Sequence, residues 1–139
     1  MQPWRSRGTA GAGGCYPLMA PLHTILVVDD DPDVLEVAAG ILAAPGHVVL
    51  TASDGYEAVR TLDHRQVDLM VTDVRMPGMD AFQLCILAKS MQPRLHIIVT
   101  SAYPGGDSVS RLATLGVFLP KPFRASALWK AVEDELDRE

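Results

Sequence analysis

Six polar side chains follow short apolar runs in this sequence, at positions where buried strands would end: Asp29, Asp30, Asp31, Asp73, Ser101 and Lys121. Carboxylates brought together at one edge of a sheet repel strongly, so at least one pKa must rise or a cation must bind. Mg²⁺ suits such hard oxygen ligands, because it takes one or two carboxylates together with a phosphate. A carboxylate attacks phosphorus only when the charge on the transferring group is neutralised, which Mg²⁺ and a lysine can do. The pattern therefore favours phosphoryl-transfer chemistry.

The elements that must position these side chains are visible as alternating patterns. Apolar runs at residues 25–28, 48–50, 69–71, 97–99 and 117–119 predict strands that are buried on both faces of a parallel sheet. Amphipathic stretches at residues 32–43, 55–63, 81–91, 108–115 and 124–138 predict one helix after each strand. The repeat predicts an α/β fold, a doubly wound five-stranded parallel sheet of the (βα)5 flavodoxin-like type. Ligands of such folds bind outside the carboxyl ends of the strands, where the six polar side chains are expected to lie.

Composition indicates one folded domain that follows a tail. Residues 1–22 are rich in Gly, Ala and Pro without a helical or strand period, which predicts a flexible N-terminal tail, and residues 23–139 are predicted to form the domain. Arg5 and Arg7 are followed by GTAGAGG and not by the apolar segment of a signal peptide. No apolar run approaches the roughly 20 residues of a membrane span. We expect a soluble, cytoplasmic domain without membrane contact.

Charge and cysteine content exclude further classes. The net charge is −5 and there is no Lys/Arg cluster, so direct binding of nucleic acid by this chain is not expected. Cys15 and Cys85 cannot build a disulfide framework and lie in no metal-binding spacing, which fits a reducing compartment. Cys85 is most simply a small core residue of the third helix.

Four motifs, in order, carry a family resemblance: ILVVDDDPDVL, VDLMVTDVRMPGMD, IIVTSAY and LPKPF. Each motif alone is weak, but the four together, with their separations, resemble the receiver domain of bacterial two-component response regulators, such as the chemotaxis response regulator. The resemblance covers residues 24–136, nearly all of the predicted domain. It implies a receiver that accepts a phosphoryl group from a histidine kinase in a Mg²⁺-dependent reaction and signals through a conformational switch.

The resemblance also implies a role for individual residues. Asp73 matches the aspartate that is phosphorylated, Ser101 the hydroxyl that bonds the phosphoryl group, and Lys121 the lysine that pairs with it. The implied metal ligands are Asp29, which acts largely through water, Asp30, Asp73 and the backbone carbonyl of Arg75. Ser101 and Phe118 match the switch residues of the family, in which the rotamer of the aromatic follows phosphorylation, and the Lys121–Pro122 bond is expected to be cis.

The implied activity is that of a phosphoacceptor signalling domain, which is not an enzyme and assists only its own phosphorylation and dephosphorylation. A sensor histidine kinase or a histidine phosphotransfer protein and an unidentified downstream protein are the implied partners. The family's usual partner and homodimer surface consists of helix 4, strand 5 and helix 5, where Trp129 and Phe118 are the residues to test. The chain could equally be a fragment of a larger regulator or hybrid kinase.

Three alternative functions fit parts of the pattern. A haloacid-dehalogenase-like phosphatase would use Asp29 as nucleophile and Asp31 as acid, but it needs an acidic motif on a strand after Lys121, where only 18 residues with a helical pattern remain. A flavodoxin-type electron carrier would need a phosphate loop where the acids stand, since acids repel the phosphate of FMN. A degenerate receiver that serves only as a binding module would not need every site position to be filled.

Several residues have simpler interpretations. Asp31 precedes Pro32 and is better explained as the N-cap of the first helix than as part of the site. Asp80 is a candidate cap of the third helix. The histidines at 23, 47, 64 and 96 share no face in the predicted fold, so we expect them to be solvated and not to bind a ligand.

Overall fold

The computed structural model describes residues 22–76, 78–101 and 114–138 of the 139-residue chain. The strands are β1 (Thr24–Val28), β2 (Val48–Ala52), β3 (Leu69–Asp73), β4 (His96–Ser101) and β5 (Val117–Pro120). The described helices are α1 (Pro32–Ala43), α2 (Gly55–His64), α3 (Ala81–Met91) and the C-terminal helix (Ala125–Leu136). The predicted helix at 108–115 and the predicted tail fall almost entirely outside the described residues. Thr114 and Leu115, which are described, form a turn.

The five strands form one parallel sheet in the order β2-β1-β3-β4-β5, which confirms the predicted doubly wound fold. Two apolar clusters cover its two faces. One cluster packs α2 and α3 against the sheet through residues such as Leu62 and Leu84, and the other packs α1 and the C-terminal helix through Leu42 and Leu128. The sheet is therefore held between two helical layers.

The prediction that all five strands are buried on both faces is wrong for the two edge strands. Every residue of β3 is buried, whereas β2 has exposed and half-buried residues and a single buried one, Ala52, and Val48 is 48 % exposed. β5 likewise has no fully buried residue among its four. The sequence pattern is similar in all five runs because an edge strand still packs one face against a helix layer, and the sheet order decides which strands lie at the edges.

Aspartates at the carboxyl ends of strands or in the loops beyond them begin three of the helices. The side chains of Asp31, Asp54 and Asp80 accept hydrogen bonds from the backbone N–H groups of Asp33, Glu57 and Phe82. The predicted caps at Asp31 and Asp80 are thereby confirmed, and each satisfies a backbone donor that the first helical turn leaves unpaired. The C-terminal helix begins after Arg124, which makes no side-chain cap bond.

Trp129 fixes the C-terminal helix to α1. Its Nε1–H donates to the carbonyl oxygen of Ile41 at 3.0 Å, and its ring packs against the cluster on that face of the sheet. The sequence placed Trp129 on a surface for partners, but the half-buried indole is engaged within the domain. A tryptophan that is partly buried usually finds an acceptor for its N–H, which is the reason for this arrangement.

The expectation that all four histidines are solvated is wrong for three of them. His23 and His47 precede the paired ends of β1 and β2, so their rings lie 5.9 Å apart and the backbone N–H of His23 donates to His47 Nδ1 at 3.0 Å. His96, at the start of β4, pairs with Glu135 of the C-terminal helix through Nδ1 and Oε2 at 3.1 Å. The starts of neighbouring parallel strands lie side by side, so residues that are far apart in the sequence become neighbours there.

Gln92, which directly follows α3, connects this helix to the end of α2 and to the residues before β3. Its Oε1 accepts from the backbone N–H of Val67 at 2.9 Å, and its Nε2 donates to the carbonyl oxygens of Leu62 and Arg65 at 2.9 and 2.8 Å. The side chain is buried, with 8 % of the residue exposed. It satisfies backbone groups at the end of α2 and before β3.

We expect Gln92→Ala to lower the free energy of unfolding by about 1–3 kcal/mol, because a buried backbone donor loses its acceptor. Gln83→Ala on the exposed face of the same helix serves as the control and should leave stability unchanged. Urea denaturation followed by circular dichroism measures both. Equal midpoints for the two variants would show that Gln92 does not support the fold.

Acid should weaken the domain through His47. Burial lowers the pKa of His47 below its ordinary value of 6.5, His23 lowers it further, and Asp68 acts in the opposite direction. The unfolded chain therefore takes up a proton near pH 6.5 that the folded state resists, so stability is full above that pH and falls as the pH drops through it.

His47→Asn removes this titration and keeps an acceptor for the His23 N–H. The loss of Tm between pH 7.5 and pH 5.5 should accordingly be smaller in the variant than in the unchanged protein. Thermal melts at the two pH values test this directly, and an identical loss in both proteins would contradict it.

Candidate functional site

The carboxyl ends of the four neighbouring strands β1, β3, β4 and β5 bring the predicted site residues to one edge. Asp73 is the last residue of β3 and is aligned with Thr100 of β4, and Ser101 is aligned with Pro120 of β5. Asp29 directly follows β1, and Lys121 directly follows β5. Parallel pairing in this register therefore assembles residues that are up to 92 positions apart in the chain.

Three carboxylates form the centre of the site. Asp29, Asp30 and Asp73 each offer an oxygen, and these oxygens lie within 4.8 Å of one another. Asp29 and Asp73 are buried, with 2 % and 8 % exposed, while Asp30 is exposed. Asp31 is absent from this group because its carboxylate caps α1, and its backbone N–H donates to Asp29 Oδ1 at 3.0 Å.

Lys121 reaches across the carboxylates. Its Nζ lies 2.8 Å from Asp29 Oδ2 and 3.5 Å from Asp73 Oδ2. Burial alone lowers the pKa of Lys121, but the hydrogen bond from its ammonium to Asp29 and the charges of Asp73 and Asp29 outweigh burial and raise it. The ammonium is therefore charged at neutral pH and bonds Asp29 more closely than it bonds Asp73.

Burial is the main cause that raises the pKa of Asp73 above its ordinary value. The charge of Lys121 acts against burial, the charge of Asp29 adds to it, and a hydrogen bond from the backbone N–H of Arg75 lowers the pKa again. The Asp73 carboxylate is thus poorly solvated, and Lys121 and the Arg75 N–H offset only part of the cost of its negative charge. A cation beside it would favour its ionised, nucleophilic form.

The remaining predicted residues line the same edge. Ser101 is buried, and its carbonyl oxygen accepts from the backbone N–H of Lys121 at 2.8 Å. The Lys121–Pro122 peptide bond is cis. Phe118 is aligned with Val99 of β4, is half-buried, and packs against the cluster on the α2 and α3 face. The predicted site residues therefore lie at the carboxyl ends of the strands or just beyond them, except Phe118, which lies within β5.

The donor set fits Mg²⁺. Three carboxylates against one ammonium leave about two negative charges, and opposite ligands of an octahedral Mg²⁺ are about 4.2 Å apart, which the cluster of oxygens can provide. Asp29, Asp30, Asp73 and the Arg75 carbonyl are the groups that would hold the ion. The three predicted carboxylates lie together, whereas the role of the Arg75 carbonyl stays a prediction. The Lys121–Asp29 pair was not predicted, since no motif specifies which carboxylate the lysine prefers.

Comparison with known proteins agrees with this geometry. The family model of the response regulator receiver domain matches residues 25–133. Transcriptional regulatory protein GlrR of Escherichia coli (strain K12) is 36 % identical over 120 residues, which cover 85 % of this chain and 27 % of GlrR. The chain thus spans about a quarter of the length of the curated relatives that it matches first.

Solved structures share the fold. A receiver domain protein from Methanospirillum hungatei JF-1 superimposes with a TM-score of 0.80 at 24 % identity, covering 84 % of this chain and 95 % of that one. The beryllofluoride-activated NtrC4 receiver domain dimer, solved in solution, gives 0.76 at 25 % identity, covering 82 % and 96 %. None of the described helices has both the length and the apolar character that crossing a membrane requires. With a family model that matches most of its length, the chain belongs to the response regulator receiver domains, the phosphoacceptor domains of two-component signalling.

Proposed function

We propose that Asp73 is the residue of this receiver that accepts the phosphoryl group. The observation that carries the proposal is the contact of a buried, strand-end carboxylate with Lys121 and with two further carboxylates. The Asp29 carboxylate is less suited to attack, because the Lys121 ammonium and the backbone N–H of Asp31 both bond it. The family membership supports this assignment and gives no support to a dehalogenase-like phosphatase.

The transfer is a displacement at phosphorus. A carboxylate oxygen of Asp73 forms the new bond, and the bond from phosphorus to the donor's nitrogen or oxygen breaks, so that the leaving group takes the electron pair and then a proton. Lys121 is placed to pair with the charge that develops on the phosphoryl oxygens. Mg²⁺ held by Asp29, Asp30, Asp73 and the Arg75 carbonyl would supply further neutralisation when bound.

The charge at this edge changes with phosphorylation, which motivates the proposed switch. An aspartyl phosphate carries about two negative charges in place of one. The Ser101 hydroxyl and Lys121 are the groups we assign to engage it, and Ser101 at the end of β4 would have to move toward Asp73. Phe118 lies on the neighbouring strand β5 and is half-buried, so space vacated near β4 would allow its ring to turn.

Partners follow from the same assignment. Receiver domains interact with histidine kinases and can dimerise, and we propose a sensor histidine kinase or a histidine phosphotransfer protein as donor for this chain. The signal would pass to a downstream protein, or to a second copy, through the surface that includes β5. GlrR is named as a transcriptional regulator, but this chain matches about a quarter of it. The acidic net charge supports our proposal that this chain makes no direct contact with nucleic acid, and we also propose a cytoplasmic location.

The first test replaces the acceptor. Asp73→Asn should abolish the mass gain of one phosphoryl group after incubation with acetyl phosphate and Mg²⁺, measured by intact mass spectrometry. Asp80→Asn is the matched control, since asparagine caps a helix as well as aspartate does and Asp80 lies outside the carboxylate cluster. A labelled Asp73→Asn protein with phosphate mapped to Asp29 would overturn the assignment. No mass gain in the unchanged protein would leave only a binding module.

The same variant should also be more stable. The raised pKa of Asp73 means that the folded domain disfavours the ionised side chain, so the unchanged protein gains stability as the pH falls through that pKa and Asp73→Asn does not. At pH 7.5 in EDTA we expect the Tm of the variant to be higher by roughly 3 °C. A lower Tm would show that the charge of Asp73 supports the fold.

Lys121→Ala should separate metal binding from phosphoryl transfer. Removing the ammonium frees Asp29 and leaves more negative charge, so Mg²⁺ affinity should rise by about fivefold or more. The rate of phosphorylation at saturating Mg²⁺ should fall by about 100-fold, the scale for losing one charge-stabilising donor. Lys130→Ala, which removes an exposed lysine of the C-terminal helix, is the control. Titration calorimetry and mass spectrometry give the two quantities, and a parallel loss of both would contradict the competition between Lys121 and the ion.

A further inference from the structure

The first two residues of α2 contact the chain that follows β3. Gly55 is buried, and a Cβ placed on it would lie 2.8 Å from the Cβ of Met79 and 3.1 Å from its sulfur. The Tyr56 ring lies beside Gly78, with Cε2 3.2 Å from the position of a Cβ on that glycine. Gly78 has φ of +86°, a conformation that glycine adopts readily. Two successive residues of α2 thus meet two successive residues of the β3–α3 connection.

Side-chain hydrogen bonds hold the start of α2 in place. Asp54 accepts from the Glu57 N–H at 2.8 Å, and Glu57 reaches back to the N–H and hydroxyl of Ser53 at 2.7 and 3.0 Å. These bonds satisfy the backbone N–H groups of Glu57 in the first turn and of Ser53 before it, and they hold the start of the helix in place. The preceding residue, Ala52, accepts from the backbone N–H of Asp29 at 3.1 Å. The turn before α2 is therefore tied to the acidic end of β1.

The β3–α3 connection supplies part of the phosphorylation site. Val74 bonds the Thr100 carbonyl of β4 at its beginning, and Asp80 caps α3 at its end. Between them, Arg75 donates its N–H to Asp73, and its carbonyl is the main-chain ligand assigned to Mg²⁺. Met79 anchors the connection in the core, where 9 % of it is exposed. A shift of Met79 or Gly78 would consequently move the main chain that carries this carbonyl.

We propose that Gly55 and Tyr56 are positioning residues that set the Mg²⁺ affinity of the receiver by holding the β3–α3 connection against α2. This inference rests on the proposed function, because it assigns a role toward the same metal. Gly55 provides the close approach that a side chain would prevent, and the Tyr56 ring lies against one side of the exposed Gly78. Groups that orient metal ligands without touching the ion commonly change affinity by about 10–100-fold when altered.

Tyr56 gives the cleaner experiment. The residue is 61 % exposed, so truncating it opens no core cavity and should cost little stability. We would compare Tyr56→Ala, Tyr56→Phe and Gly55→Ala with Arg60→Ala, an exposed substitution on the same helix. The readouts are the Kd for Mg²⁺ by titration calorimetry, the phosphorylation rate with acetyl phosphate over a range of Mg²⁺ concentrations, and the Tm.

The expected result is a Kd for Mg²⁺ that is about tenfold higher in Tyr56→Ala and in Gly55→Ala, while Tyr56→Phe and Arg60→Ala keep the unchanged Kd. The phosphorylation rate should recover at saturating Mg²⁺, since the acceptor and Lys121 remain in place. A lower Tm with an unchanged Kd for Mg²⁺ would overturn the inference. An equal loss of Mg²⁺ affinity in Tyr56→Ala and Tyr56→Phe would also overturn it, because it would implicate the hydroxyl and not the ring. Failure of the proposed function looks different, because the unchanged protein would then neither bind Mg²⁺ nor gain a phosphoryl group.

Discussion

Three carboxylates at the carboxyl ends of the strands face a single lysine, and the site depends on this excess of negative charge. Asp29 and Asp73 are buried and Lys121 bonds them unequally, at 2.8 and 3.5 Å. Such a cluster is costly without a cation to offset its negative charge, because the interior solvates charge poorly. The site is therefore most complete when it is occupied, and its energy depends on what occupies it. A receiver requires this property, since its output must differ between two chemical states of one side chain.

The fold meets this constraint through main-chain geometry. Parallel pairing places the ends of β1, β3, β4 and β5 side by side, so that Asp73 and Ser101 end β3 and β4 while Asp29 and Lys121 directly follow β1 and β5. The helix caps at Asp31, Asp54 and Asp80 then turn the chain away from the same edge. Acidic residues at this end thus have two separate tasks. Some concentrate charge at the site, and the others satisfy backbone donors at helix starts.

Much of this arrangement could be predicted from the sequence, for identifiable reasons. Apolar runs locate the five strands and the Asp-Pro pair locates α1, because burial and capping leave local patterns. The pairing of His23 with His47, the burial of the Trp129 indole against α1 and the preference of Lys121 for Asp29 leave no such pattern. Each depends on which strands or helices become neighbours, and sheet order is a property of the whole chain. The exposure of Val48 at the β2 edge was mispredicted for the same reason.

The amino and carboxyl ends of the strands hold different kinds of side chain. Histidines 23, 47 and 96 and the buried Gln92 lie toward the amino ends of the strands, whereas every group assigned to phosphoryl transfer lies at the carboxyl ends. The groups at the amino ends support the fold without taking part in the chemistry, which lies at the opposite ends of the strands, as it does in other parallel α/β folds. Substitutions at the histidine edge can therefore adjust how the domain responds to acidity or temperature without altering its phosphorylation chemistry.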